Sequence, residues 1–449
     1  MPRSMTRMIV VQRRTEMPQL RYLVLGLTCL VALVSVDTFN SQVSGVSDTV
    51  AVQQGGDIRP QIAALGLWMA LTAISFIPGV AHSPPLTRGL AWPGLLLAWV
   101  VLSPLWSDDP ASGMPKAILF LATSFAAWRM ASVVTTKEML ACTFYSLFVL
   151  LAASFVLAVF VPSVGLLLND WAHEGQWKGV FATKQGLGTV SAVFLILAFL
   201  RLSHRRNLLN LTACALGLSC LLGSGSRGGG AMAVVAVLSL VLVRRNPKFA
   251  PLVTGVLLIG LLLGILELSY FGITGDDAIR VFGSNINLTE RTYIWQYAIR
   301  FWLDRPYLGF GLNSFWTNSD IASGYLNSHG WFLDNYHSGY LAIAIETGVV
   351  GFALFSMVLL NLAPRLKFLL LNAKSNRLSL EMTAGVMVMF FTINLTETYF
   401  LRSTNFMAVL FTFLVIKTLA VPVASAAQSG ARPQRLSSGL VGMRSRAVS

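Results

Sequence analysis

Charged side chains are scarce in this sequence. Asp, Glu, Lys and Arg make up only 12% of its 449 residues, where a soluble globular chain carries about a quarter. That scarcity excludes an ordinary soluble enzyme. With 55% hydrophobic residues and a mean hydropathy of +0.67, it makes a bilayer the expected solvent. Cysteine is also rare. Cys29, Cys142, Cys214 and Cys220 all lie inside apolar runs, so they read as small core hydrophobes and not as a disulfide framework or a metal set. There is no His-Glu-x-x-His, no Cys-x-x-Cys, and no dinucleotide or phosphate-loop glycine pattern, so neither metal nor cofactor is expected. No repeat of 20–50 residues is present. A net charge of +14 could suit nucleic acid, but the basic residues sit in short loops between apolar runs. That is the membrane pattern, and no nucleic-acid partner is expected.

What the sequence does have is a succession of twelve apolar runs, near 20–36, 61–80, 90–106, 115–134, 139–161, 187–202, 208–223, 228–243, 250–272, 337–360, 380–396 and 404–421. They predict an all-α polytopic membrane protein of about twelve helices with a large helical loop. The first run follows a basic segment as a signal peptide would, yet lacks a small-x-small cleavage site, so it reads as a retained helix. The organisation expected is a basic tail (1–19), helices 1–9 (20–272), an aromatic-rich loop (273–336), helices 10–12 (337–421) and a disordered basic tail (422–449) that contains no acid. With the N-terminus inside, 23 of the 33 basic residues fall on the cytoplasmic side, whereas of the acids only Glu16, Glu138 and Glu381 do. Both termini are therefore expected in the cytoplasm, with the 273–336 loop outside.

Several residues on the outer side could carry chemistry. Arg227 stands in Gly223-Ser-Gly-Ser-Arg-Gly-Gly-Gly230, where converging backbone N–H groups beside a guanidinium make an anion-binding concavity. A tight hairpin with a snorkelling arginine explains it equally well. Arg291 opens a segment bounded by Thr289 and Pro306 that reads as a helix with an apolar stripe of Ile294, Trp295, Ala298, Phe301 and Trp302. The spacing places Arg291 on the packed face, free to bind an anion or to pair with Glu290 or an outer Asp. Arg300 and Arg305 read as solvated. His337, after Asp334-Asn-Tyr336, opens the tenth run, and a helix start favours the neutral imidazole that a general base needs; an interfacial structural histidine is the plain alternative. Gly348 and Gly351 suit close helix packing, and Glu346 reads as a structural intramembrane carboxyl. The loop 273–336 holds fourteen aromatics. That exceeds an interfacial belt and suits a glycan-facing surface, with Trp295 and Tyr336 as aromatic candidates for substrate contact.

These residues together resemble the O-antigen ligase and Wzy-type polysaccharide polymerase family over about residues 177–351. His337-Ser338, nine residues, Gly348, two residues and Gly351 are similar to the family's His-[Asn/Ser]-x9-Gly-x2-Gly signature. Arg291…Trp295…Ala298…Pro306…Gly309-Phe-Gly311…Phe315 resembles the block before that histidine. Ser226-Arg227-Gly228 and Trp177…Gly179…Phe181…Lys184 agree with two weaker blocks, with Gln185 where many members have Asn. Asn394-Leu-Thr-Glu397 is similar to the exopolysaccharide-polymerase (ExoQ-type) branch.

The resemblance implies a metal-independent inverting glycosyltransferase on the periplasmic face of the bacterial inner membrane. Its donor would be an oligosaccharide on undecaprenyl diphosphate and its acceptor a glycan hydroxyl, with chain-length or export proteins as further candidate partners. His337 would then be catalytic, and Lys184, Arg227 and Arg291 would bind the diphosphate. Polymerase is the preferred activity, with ligation of O-antigen to lipid A-core as the alternative. A flippase or a non-catalytic scaffold remains open, although a flippase should show cations deep in several spans and an inverted repeat.

Overall fold

The structure, a computed structural model, describes residues 18–34, 59–77, 80, 89–168, 174–274, 279–281, 284–286, 291–330, 333, 335–372, 376–402 and 405–421. Its main helices are α1 (Pro18–Val34), α2 (Arg59–Ser75), α3 (Ala91–Leu102), α4 (Pro110–Val133), α5 (Thr136–Phe160), α6 (Lys184–His204), α7 (Leu208–Gly223), α8 (Arg227–Arg245) and α9 (Ala250–Thr274). Then come α10 (Arg291–Trp302), α11 (Ser319–His329), α12 (Gly339–Asn372), α13 (Arg377–Ile393) and α14 (Phe406–Leu419). Each of the twelve apolar runs falls on a helix. Among the described residues five helices are long and apolar enough to cross a membrane: Thr136–Phe160, Lys184–His204, Arg227–Arg245, Pro247–Glu267 and Gly339–Asn372. The remaining apolar helices are shorter. The two expected basic tails lie almost wholly outside the described residues, as do Thr289, Glu290 and Trp331.

Side-chain caps set the helix starts. Thr135 and Glu138 form a reciprocal capping box on α5, while Thr183, Asn207, Ser226 and Asn405 cap α6, α7, α8 and α14. Each cap satisfies an N–H that would otherwise be left without an intrahelical partner. The helices bury small and aliphatic faces against one another and leave Val149, Val156, Val159, Leu238, Ile259 and Leu262 exposed. A surface that apolar is stable against lipid and not against water.

The tenth run departs from a simple span. α12 continues to Asn372 and is broken at Gly348, with φ 68° and ψ −173°. This backbone region is essentially closed to residues with a Cβ. The break is stitched by the segment 305–311. Phe310 N–H and Gly311 N–H donate to Ile345 O and Glu346 O (2.9 and 2.8 Å), and Val349 N–H donates to Pro306 O (2.8 Å). Trp99 Nε1 supplies Thr347 O at 2.9 Å. A Cβ on Gly348 would come within 2.1 Å of Tyr307 O, and one on Gly309 within 2.6 Å of Gly348 N. Gly348 therefore serves a loop–helix junction and not ordinary close helix packing.

The loop 273–336 is not wholly helical. Ile279–Val281 and Ser284–Ile286 (β1 and β2) form an antiparallel pair ahead of α10 and α11. A second core contains Ile294, Trp295, Phe315, Trp316, Tyr325 and Tyr336, continuous with Leu341 and Ile345 of α12. Most of the aromatics expected to face glycan are thus spent on packing. Tyr307, 72% exposed, is an exception.

Candidate functional site

Four segments distant in sequence meet at one end of the bundle, beyond the last turn of α13. Asn394 organises the turn there. Its Oδ1 accepts from Tyr399 N–H and Phe400 N–H, both at 2.9 Å, and its backbone carbonyl accepts from Gly339 N–H at 2.7 Å. That last bond seats the start of α12, and with it His337, against the turn. Glu397, three residues on, lies between Arg291 and His337. Its Oε1 accepts from Arg291 Nη2 at 2.8 Å, and its Oε2 is 3.4 Å from His337 Nδ1. The three side chains are between 18% and 27% exposed, open enough for a ligand and dry enough for the charges to be felt.

His337 lies outside the helix it was expected to open. Its φ is +48°, its N–H donates to Asn335 Oδ1 at 2.9 Å, and α12 begins only at Gly339. Ser338 is the capping residue, accepting from Leu341 N–H at 3.4 Å and donating to Glu267 of α9 at 3.2 Å. The helix dipole therefore acts on His337 less directly than a first-turn position would imply, and Glu397 is the nearer influence. A left-handed, non-glycine backbone is held only where its surroundings over-determine it, often at a functional site.

Arg227 is the first residue of α8, capped by Ser226, and follows a turn in which Gly225 has φ +60°. The next residue, Gly228, abuts the motif turn: a Cβ there would lie 3.5 Å from Thr396 Oγ1. Arg227 is exposed, and among the described residues no ion pair involves it. The Trp177–Lys184 block packs against the same turn. Trp177 N–H donates to Gly223 O at 2.9 Å, and its ring lies where a Cβ of Gly223 would be. Lys184 is buried at the start of α6 and donates to Gln176 Oε1 at 2.7 Å, while Gln176 lies against Gly225. Gly228 thus sets the Arg227 segment against the turn that carries Glu397, while Lys184 reaches the α7–α8 turn through Gln176.

Trp295 and Tyr336 do not face outward. They are 2% and 1% exposed, and Trp295 Nε1 donates to Tyr336 O at 2.9 Å, so the pair anchors the backbone just before His337. Burial, and next the charge of Glu346, holds the Tyr336 phenol well above its ordinary range. Two further expectations change. Arg291 pairs with Glu397, 106 positions away, and Arg305 is not simply solvated. Its Nη1 meets Asp108 at 2.8 Å, and its guanidinium lies over the Phe310 ring. Glu346 accepts from Asn313 N–H at 3.0 Å, tying the re-folded 305–316 segment to the helix break. Glu397 is the member that sequence reasoning passed over. Its signal was present in Asn394-Leu-Thr-Glu397, but nothing in the linear order joins it to His337. Among the described residues no group of three or more His, Cys, Asp or Glu side chains forms a candidate metal site.

This arrangement has counterparts. Residues 211–356 match the O-antigen ligase family (Wzy_C), a stretch that contains Arg227, Arg291, His337 and both glycines of the α12 break. The resemblance drawn from the motifs therefore agrees with a family model over these residues, and the apolar helices agree with a membrane protein. The ExoQ side of that resemblance holds as well. The chain is 24% identical over 322 residues to the exopolysaccharide production protein ExoQ of Rhizobium meliloti (strain 1021), covering 66% of this chain and 69% of the relative.

Proposed function

We propose that this protein is a polysaccharide polymerase of the inner membrane. It would transfer a glycan from undecaprenyl diphosphate to a sugar hydroxyl at the outer face, with inversion. The observation that carries the reading is the Arg291–Glu397–His337 chain, with Arg227 preceding Gly228, which abuts Thr396 of the same turn. Glu397 accepts from the Nδ1–H tautomer of His337, leaving Nε2 free to take the acceptor proton. As that proton leaves, the acceptor oxygen bonds to the anomeric carbon and the bond from that carbon to the diphosphate oxygen breaks. The electron pair stays on the lipid diphosphate, and the proton passes from His337 to water. Arg227 and Arg291 stabilise the departing charge with planar N–H forks, and Lys184 adds a third cation behind them. Glu397 thus has two duties, orienting the base and fixing Arg291, while Trp295 and Tyr336 position the base from behind.

The similarity to a protein named for exopolysaccharide production favours making a polysaccharide chain over a single transfer. Purified protein in a bilayer, given only a lipid-linked repeat unit, is expected to produce a ladder of longer glycans. No product from the repeat unit alone, with one addition when a lipid A-core acceptor is supplied, would make it a ligase. No product under either condition would refute the transferase reading.

A further inference from the structure

Three helices run from the candidate site to the opposite end of the bundle. α6 begins at Lys184 and ends at His204, α8 begins at Arg227 and ends at Arg245, and α13 begins at Arg377 and ends beside Asn394. Their lengths of 17 to 21 residues correspond to about 25–32 Å at 1.5 Å per residue, close to the thickness of a bilayer's hydrocarbon core. Across a bilayer, the far end falls at the level of the other leaflet's headgroups. Cations gather there: the segments 202–210 and 244–250, which follow α6 and α8, contain five arginines and lysines and no acid. One carboxylate ties the helix ends together. Glu381 of α13 meets Arg244 of α8, Arg377 Nε at 2.9 Å and His204 Nε2 at 3.0 Å, and Arg244 also donates to Ser203. The Glu381 side chain is only 4% exposed, so its charge is committed to that framework. Arg201 is occupied too, by Asn210 Oδ1 at 3.4 Å and the Phe144 ring at 4.3 Å. Arg205, Arg206, Arg245 and Lys248 differ. All four are exposed, and among the described residues none of their side chains makes an ion pair or hydrogen bond. Exposed apolar side chains flank them, Leu208 and Leu209 after Arg206 and Phe249 and Leu252 after Lys248.

We propose that this cluster binds the headgroup of an anionic phospholipid, with Arg205, Arg206, Arg245 and Lys248 on its phosphate oxygens and Leu208 and Phe249 against its chains. Basic groups that converge between helix ends at a membrane surface suit such a headgroup. The Ser203–Arg244 contact brings the two acid-free segments together, so one headgroup can engage both. Three of the four cations are arginines, whose planar forks match phosphate oxygens. A soluble phosphate presents the same head chemistry but gains nothing from Leu208 and Phe249, which decides for a lipid. The proposal does not draw on the transferase reading, since the cluster lies one bilayer thickness from His337 and Glu397.

The test uses the full-length protein in neutral detergent, titrated with phosphatidylglycerol or with phosphatidylcholine of the same chains, and bound lipid is counted by native mass spectrometry. The wild type is expected to bind phosphatidylglycerol more tightly. Each cation beside a headgroup is worth about fivefold in affinity, so Arg206→Gln with Lys248→Gln should weaken phosphatidylglycerol about 25-fold and leave phosphatidylcholine unchanged. Lys137→Gln with Lys367→Gln removes two exposed cations from α5 and α12 and should alter neither lipid. All four positions are exposed, so both double variants should melt at the wild-type temperature without added lipid, which keeps a loss of binding distinct from a loss of fold. Equal binding of the two lipids by the wild type would overturn the proposal. Equal losses in the two double variants would do so as well, by assigning the attraction to the surface charge as a whole. sn-Glycerol 3-phosphate is the third probe: displacement of phosphatidylglycerol at comparable concentration would make this a soluble-phosphate site and overturn the lipid assignment, whereas no displacement supports it. None of these measurements involves turnover, so their failure and that of the transferase reading are distinguishable.

Discussion

The Glu397 carboxylate has one oxygen on Arg291 and the other facing His337, so a single residue links the proposed base to a proposed diphosphate ligand. Replacing it with Gln keeps the shape but offers His337 an amide that can donate, which favours the wrong tautomer. Glu397→Gln should therefore lower kcat by about 10²-fold or more with a smaller change in donor KM, and steady-state kinetics on nanodisc protein would show it. Equal losses in both parameters would assign Glu397 to binding alone. For the arginines the planar fork matters as well as the charge. Arg227→Lys and Arg291→Lys should each reduce kcat/KM by about 10–100-fold, the equivalent of one charge-assisted hydrogen bond of about 1.5–3 kcal/mol. Arg300→Ala is the suitable control, since Arg300 is exposed, whereas Arg305 carries its own contacts to Asp108 and Phe310. Full activity of both lysine variants would remove the diphosphate role. His337, Arg227 and Arg291 were legible in the sequence because an unusual residue type stood in a recognisable pattern. The Glu397 contact was not, because it depends on the fold bringing together positions 60 and 106 residues apart.

At the scale of elements, the helices were legible and their interruptions were not. Apolar runs of helical length pick out α1–α9 and α12–α14, because burial against lipid or protein needs only composition and length. The break at Gly348 has the same composition as an intact helix. It exists because the 305–311 segment supplies hydrogen bonds to its backbone, which is a tertiary fact. The aromatic loop misleads for a related reason. Trp295, Trp316 and Tyr336 look the same in sequence whether they stack on sugar or on one another, and here they build a core. Two consequences can be measured. Gly348→Ala must place a Cβ in a backbone region closed to it, at about 1–3 kcal/mol for the strain alone, and against Tyr307 O besides. It should unfold at a clearly lower temperature in detergent and lose activity together with stability. Gly66→Ala, where an added Cβ meets nothing in the interior of α2, should be neutral or slightly stabilising. Equal melting temperatures for both variants would contradict the break.

For the whole molecule, charge distribution and topology bear on where the site sits. The acids assigned to the inner side that the structure describes are both ion-paired. Glu138 meets Arg21, and Glu381 meets Arg244, Arg377 and His204, so the cationic excess there is partly ordered. The other end of the bundle carries Arg227, Arg291 and His337. Reporter fusions should place both termini and residues 364–378 in the cytoplasm and residues 273–336 outside; an exported C-terminus would break the twelve-span arrangement. The central claim, that His337 takes the acceptor proton, is tested most directly by a single-turnover assay on His337→Gln with donor already bound. Glutamine can still donate and accept hydrogen bonds but cannot take up the proton at neutral pH. The account predicts donor binding close to wild type with transfer slower by about 10²–10⁴-fold, and transfer at a near-wild-type rate would contradict it.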